Sequence, residues 1–149
     1  MTILYLCTAN ICRSPVAEHY MRRVAERLGR HPVRCLSSGT HAVDGRPADP
    51  VVVELARERG LDLSRHRSRA LTRDMLDQAD EIVVMTRIQR AFLREHYPDV
   101  MGKVVLLREA DGGLDLPDPI GGPVAEYRKV LEILFRCIEA RALELSYPA

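Results

Sequence analysis

The segment C-T-A-N-I-C-R-S, from Cys7 to Ser14, sets a thiol six positions ahead of a guanidinium. The apolar run from Ile3 to Leu6 precedes it, and Pro15 with a helical pattern follows. That order reads as strand, tight loop, helix. A loop that turns into a helix N-terminus directs unpaired backbone N–H groups at one spot, which suits an oxyanion. Cys7 is the candidate nucleophile, because a thiolate attacks and a helix N-terminus with a nearby cation favours that form. Arg13 supplies the cation, and its planar fork can hold two phosphate oxygens where a lysine would act as a point charge. The amides of Thr8, Ala9, Asn10, Ile11, Cys12 and Ser14 would cradle the equatorial oxygens as a nest. The layout fits phosphoryl transfer through cysteine, with positioning and electrostatics carrying most of the catalysis. A buried structural cysteine is the plainer reading of Cys7, but it leaves Arg13 and the helix start unexplained.

Ser14 is placed to donate its hydroxyl to the Cys7 sulfur, and it also suits a helix N-cap. Asn10 suits a left-handed turn and could brace the loop with its amide. The residues alone leave those two readings of Asn10 even. No G-x-x-x-x-G-K-[ST] is present, so this is not a Walker-type nucleotide loop. The leaving oxygen needs a proton, and the segment 109–123 offers Asp111, Asp115 and Asp118. Asp118 stands between two prolines in L-P-D-P-I, which stiffen the backbone and fix where the carboxyl points. It is the expected general acid, and then the base for the hydrolytic water. Asp115 could instead be a solvated turn residue.

The elements that must position these groups alternate along the chain. Strands are expected over 2–6, 33–37, 81–85 and 104–107. Helices are expected over about 15–28, 49–59, 73–78, 87–96 and 123–145, with Gly29 and Gly60 as stops and Thr72 as an N-cap. Such alternation implies a three-layer α/β fold: a four-stranded parallel sheet, helices on both faces, and the phosphate-binding loop between the first strand and first helix. In such a sheet ligands bind beyond the C-terminal strand ends, where Cys7 lies.

At 149 residues the chain is expected to be a single domain, 1–149, with no internal repeat or linker. Its 22 basic and 21 acidic side chains give a formal charge of +1, which argues against a nucleic-acid or membrane-surface partner. Arg65, Arg67 and Arg69 beside His66 form the one basic cluster, by default a solvated face. No apolar run of the length of a membrane span and no signal peptide are visible. Cys7, Cys12, Cys35 and Cys137 match neither a disulfide framework nor a zinc spacing, so a reducing, cytoplasmic setting is expected.

With Cys7, Arg13 and Asp118 in place, the chain resembles the low-molecular-weight protein tyrosine phosphatases over nearly its whole length. The matching stretches are C-x-x-N-x-C-R-S-P with Ala17-Glu18, S-x-G-T from Ser37, and H-R-S-R-x-L-T from His66. A-D-x-I-x-x-M-T from Ala79 and the late Asp118-Pro119 complete them. The resemblance implies a phosphocysteine on Cys7, phosphate binding by Arg13 and acid–base work by Asp118, with no cofactor or metal. It implies that Asn10, Ser14, Ser37 and His66 brace the loop, and that Cys12 can pair with Cys7 under oxidation as a reversible cap. The implied partner is a phosphorylated protein, with an autophosphorylating tyrosine kinase one possibility, and the protein is expected to be a monomer or weak dimer.

Two departures bear on the substrate. Ile120-Gly121-Gly122 follows Asp118-Pro119 where a tyrosine is common, a form resembling bacterial members that include protein-arginine phosphatases. Those carry Thr at the loop position occupied here by Ile11. An apolar Ile11 can pack on an aryl ring but offers a guanidinium group no hydroxyl, which favours phosphotyrosine. The aromatics Tyr5, Tyr20, Phe92, Tyr97, Tyr127, Phe135 and Tyr147 all fall outside the rim segments 40–47 and 117–123, leaving His41 and Val43 as rim candidates. Three alternatives are a protein-arginine phosphatase, a thioredoxin-coupled arsenate reductase and a non-catalytic redox sensor using Cys7 and Cys12. The reductase needs further resolving cysteines, whereas Cys35 and Cys137 read as packing residues in a strand and a helix. A sensor would have no need of Asp118.

Overall fold

The computed structural model describes residues 1–29 and 33–146. The apolar run at the start becomes β1 (Thr2–Cys7), one residue longer than expected, and Cys7 is its last residue. β2 (Arg34–Gly39), β3 (Glu81–Val84) and β4 (Val104–Leu106) complete a sheet of order β2-β1-β3-β4, and every pairing is parallel. β1 and β3 are buried on both faces, which is why their sequences run apolar without alternation.

One face of the sheet, through Ile3, Tyr5 and Val83, packs on α1 (Arg13–Arg27), α2 (Pro50–Glu58) and α5 (Val124–Ser146). The other, through Leu4, Leu6, Ile82 and Val84, packs on α3 (Arg73–Gln78) and α4 (Arg87–His96). This is the expected three-layer arrangement. Local chemistry sets the helix ends. Asp49 caps α2 ahead of Pro50, Thr72 caps α3, and Thr86 with Gln89 forms a capping box on α4. Gly29 and Gly60 follow the ends of α1 and α2 with positive φ, as a left-handed cap requires. The 3₁₀ segment Pro98–Lys103 ahead of β4 was not foreseen, because a short run with Pro and Gly carries no periodicity. The expected N-cap role of Ser14 is corrected: α1 begins at Arg13, its N-cap is Cys12 without a side-chain cap bond, and Ser14 lies inside the first turn.

Sequence neighbours β1 and β2 lie on one side of the sheet, while the chain then crosses β1 to form β3 and β4. The order therefore reverses at β1, and its C-terminal end is the crevice where such sheets bind ligands. Tyr147 lies outside the described residues. Among those described, no helix is long and apolar enough to cross a membrane.

Candidate active site

Cys7 leaves the sheet buried, and its Sγ lies 2.9 Å from Ser14 Oγ. Residues 8–12 then curl back to the start of α1, so the free amides of the first helical turn face the same space as the thiol. Asn10 takes φ 57°, in the left-handed region, and its fully buried side chain fixes the curl. Its Nδ2 donates to Ser14 Oγ at 2.8 Å and to Ser37 Oγ at 3.0 Å, while Oδ1 accepts from the Arg69 amide at 2.9 Å. Turn former and network member are thus one role. Ser37 in turn donates to Glu18 at 2.5 Å. His66 Nε2 lies 2.7 Å from the Asn10 carbonyl, and since a carbonyl only accepts, that nitrogen carries a proton. The sequence-predicted brace of Asn10, Ser14, Ser37 and His66 is therefore one connected network.

Arg13 is 3% exposed, with Nη1 donating to the Leu116 carbonyl at 2.8 Å and Nη2 3.7 Å from Asp118 Oδ2. Its Nε is buried and has no acceptor among the described residues. A buried guanidinium N–H without a partner is costly unless an anion completes it, and this one borders a cleft lined by Cys7, Ala9, Ile11, Cys12, Arg13, Asp118 and Ile120. Asp118 is held over that cleft by its own turn, Oδ1 accepting from the Ile120 amide at 3.1 Å. Asp115 is not a free turn residue. It accepts from the Arg87 amide at 2.9 Å, and that bond pulls its carboxyl below the usual range. It clips the 109–123 segment to the start of α4, away from the cleft.

Three further residues position the loop and the acid. Gly39, beside Cys7 in the sheet, leaves room for the loop: a Cβ there would sit 2.5 Å from the Thr8 carbonyl and 3.0 Å from the Asn10 amide. Gln89 accepts from the Met85 and Thr86 amides and donates to Thr8 Oγ1 at 3.2 Å, tying the loop to α4. Tyr127 donates to Asp49 Oδ2 at 2.9 Å and accepts from the Gly121 amide at 3.4 Å. Because the Asp49 amide also donates to the Ile11 carbonyl, Tyr127 joins the Asp118 segment to the loop. Gly39 falls within the S-x-G-T stretch, whereas Gln89 and Tyr127 offer only a residue type able to bond at both ends, with no indication of partner.

The walls are aliphatic. Ile11 and Ile120 face the cleft, whereas the expected rim residues His41 and Val43 are not among its lining. His41 packs instead in a tilted contact against Phe92 of α4, ring centroids 5.1 Å apart. Burial pushes the Cys12 thiol well above its ordinary pKa, with Cys7 adding to the effect, and pushes Cys35 up to about 12. Cys35 lies in β2 and Cys137 in α5. Glu18, His19 and His66 bring potential metal-ligating atoms within 4.8 Å of one another. Glu18, however, is already bonded by Ser37 and by the Arg22 guanidinium, a cation that opposes a second one.

The low molecular weight phosphotyrosine protein phosphatase family matches the chain over residues 2–146. A probable low molecular weight protein-tyrosine-phosphatase, EpsP of Ralstonia nicotianae, is 34% identical over 139 residues, 93% of this chain and 92% of the relative. The protein-arginine-phosphatase of Bacillus subtilis is 32% identical over 148 residues, 98% of this chain and 97% of the relative. The crystal structure of a low molecular weight protein tyrosine phosphatase from T. tengcongensis superposes with a TM-score of 0.90 at 34% identity, covering 97% of this chain and 99% of that one. The chain belongs to the low molecular weight protein-tyrosine-phosphatase family.

Proposed function

We propose that this enzyme hydrolyses phosphotyrosine in proteins through a phosphocysteine on Cys7. The observation that carries the reading is the convergence on one cleft of the Cys7 thiol, the helix N-terminus, buried Arg13 with its unpartnered Nε, and the Asp118 carboxyl. In the first step the Cys7 thiolate attacks phosphorus in line. The S–P bond forms, the P–O bond to the aryl group breaks, and protonated Asp118 gives its proton to the departing oxygen. In the second step Asp118, now a carboxylate, takes a proton from water as its oxygen attacks phosphorus. The S–P bond breaks and phosphate leaves. Arg13 and the loop amides bind the equatorial oxygens, where the transition-state charge collects. Ser14, 2.9 Å from the sulfur, stabilises the thiolate as attacker and as leaving group.

Ile11 and Ile120 suit the faces of a phenyl ring and present no acceptor to a guanidinium, which supports phosphotyrosine over phosphoarginine. Phosphoarginine is the second reading, favoured by the similarity to the Bacillus subtilis arginine phosphatase. With peroxide, Cys7 would form a sulfenic acid. The Cys12 thiol would then attack it, releasing water and leaving a Cys7–Cys12 disulfide that thiols reverse.

The test is hydrolysis of aryl phosphates and of matched phosphotyrosine and phosphoarginine peptides. Cys7→Ser should be inactive. Asp118→Ala should lose roughly 10²–10⁴-fold, and least on leaving groups that need no proton. A wild-type kcat/KM favouring the phosphoarginine peptide would replace the substrate assignment, and substantial activity in Cys7→Ser would remove the mechanism.

A further inference from the structure

The segment that braces the loop has a second face. Along residues 65–69 burial alternates: His66 and Ser68 point inward, while Arg65, Arg67 and Arg69 are exposed. The inward pair has fixed duties, His66 on the Asn10 carbonyl and Ser68 on the Val43 carbonyl and the Arg46 amide. Arg65, Arg67 and Arg69 are left exposed on the same stretch, Arg65 in the turn that opens it and Arg69 with its guanidinium on the Ser37 carbonyl. Residues 41–49 form an arch beside them. One end is pinned where the His41 amide donates to the Thr8 carbonyl at 2.9 Å, the other where the Asp49 amide donates to the Ile11 carbonyl at 2.8 Å. The arch therefore spans the outer edge of the phosphate loop. Its middle is sewn to Ser68 by the Gly45 and Arg46 backbones, so exposed Arg46 lies on the segment next to the one that carries Arg67.

Several of the helix arginines sit in ion pairs. Arg57 pairs with Glu54, Arg128 with Glu58 and Arg141 with Glu81. None of Arg46, Arg65, Arg67 and Arg69 forms an ion pair with a carboxylate among the described residues. Among the described residues the Arg67 and Arg69 guanidinium groups bond backbone carbonyls, those of His66 and Ser37. Of the neighbouring acids, Asp44 accepts from the Ala70 amide, and Asp62 accepts from the Ser64 amide and feels the Arg65 charge without pairing with it. On a chain with a formal charge of only +1, this leaves a local positive edge at the loop.

We propose that Arg46, Arg65 and Arg67 form a cationic rim that binds acidic side chains flanking the phosphorylated residue of a protein substrate. This rests on the phosphatase reading of the cleft and specifies which phosphoproteins it favours. The rim would steer and hold the flanking chain while Ile11 and Ile120 hold the ring. Exposed charge pairs are each worth little and are screened by salt, so the effect is moderate and sensitive to ionic strength.

The experiment compares two phosphotyrosine peptides identical except that Glu residues flanking the phosphotyrosine in one are Gln in the other, with p-nitrophenyl phosphate as a substrate lacking flanks. Wild-type kcat/KM should favour the Glu peptide about 5- to 20-fold at low ionic strength. The preference should shrink in about 0.5 M salt. In the Arg46→Gln, Arg65→Gln, Arg67→Gln triple variant it should vanish, while turnover of p-nitrophenyl phosphate stays at the wild-type level. Equal wild-type turnover of both peptides, or a preference that survives in the triple variant, would overturn the proposal. If neither peptide nor p-nitrophenyl phosphate is hydrolysed, the phosphatase reading fails instead. Fluorescence anisotropy with the same labelled peptides then decides the rim: tighter wild-type binding of the Glu peptide, lost in the triple variant, upholds it, and equal binding overturns it.

Discussion

Asn10 shows how much a single side chain carries. It holds a left-handed backbone, donates to two serines, accepts from Arg69 and presents its carbonyl to His66. Asn10→Ala would strand the part-buried Arg69 amide and leave an unfavourable φ. It should lower stability by roughly 1–3 kcal/mol for the lost partner, with ~1 kcal/mol more for the left-handed backbone. Urea denaturation measures this, and an unchanged midpoint would show that the network is dispensable. Cys7 and Cys12 are both 2% exposed, but Ser14 Oγ lies 2.9 Å from the Cys7 sulfur, whereas burial, with Cys7 adding to it, pushes the Cys12 thiol well above its ordinary pKa. At neutral pH iodoacetamide should therefore label Cys7 and spare Cys12, as peptide mapping would reveal. Label reaching Cys12 first would contradict this. After peroxide treatment wild-type activity should return with dithiothreitol, whereas Cys12→Ser should recover much less, because Cys7 then proceeds to irreversible acids.

Elements place these residues, and here the sequence is an uneven guide. The apolar run of β1, the helix after Pro15 and the rigid L-P-D-P-I turn are local signals, so Cys7, Arg13 and Asp118 are legible as a set. What joins them is not local. Arg13 meets the Leu116 carbonyl, Gln89 meets Thr8, and Tyr127 meets Asp49, each across more than half of the chain or nearly so. Residue type says that a glutamine or tyrosine can bond twice; only the packed sheet says to what. Gly39 is the sharpest case, because it reads as a turn residue yet serves as clearance for the Thr8 carbonyl. Gly39→Ala should displace the loop and lower kcat by about 10²-fold, the scale of an ångström-size misplacement, while circular dichroism stays that of a folded protein. Near-wild-type kcat would show that the loop adapts. Tyr127→Phe cuts the tie between the Asp118 segment and Asp49. Its loss of activity should be larger on phenyl phosphate than on an activated aryl phosphate, since only the former depends on a well-placed acid. Equal losses would place the effect elsewhere.

At the scale of the whole molecule, the reversal of strand order at β1 puts the site at the end of a strand buried on both sides. The two apolar layers are separate, and the layer on α3 and α4 carries no proposed reacting group. Truncating its buried Leu93 to Ala should cost about 2–5 kcal/mol of stability, with KM for an aryl phosphate unchanged. A KM that rose with the lost stability would mean that this layer shapes the cleft directly. The nearly balanced charge hides a local feature, since Arg65, Arg67 and Arg69 are exposed on the same segment whose His66 side chain and Arg69 amide hold the loop. Composition averages that edge away, and the fold restores it beside the cleft.

The central claim is that phosphate passes through Cys7. Rapid acid quench of Asp118→Asn during turnover of an activated aryl phosphate, followed by mass spectrometry of the peptides, tests it directly. A phosphoryl group on the peptide containing Cys7, located on that sulfur and absent when Cys7 is replaced by Ala, is the predicted result. Turnover with the phosphoryl group on another residue, or persisting in Cys7→Ala, would contradict the account.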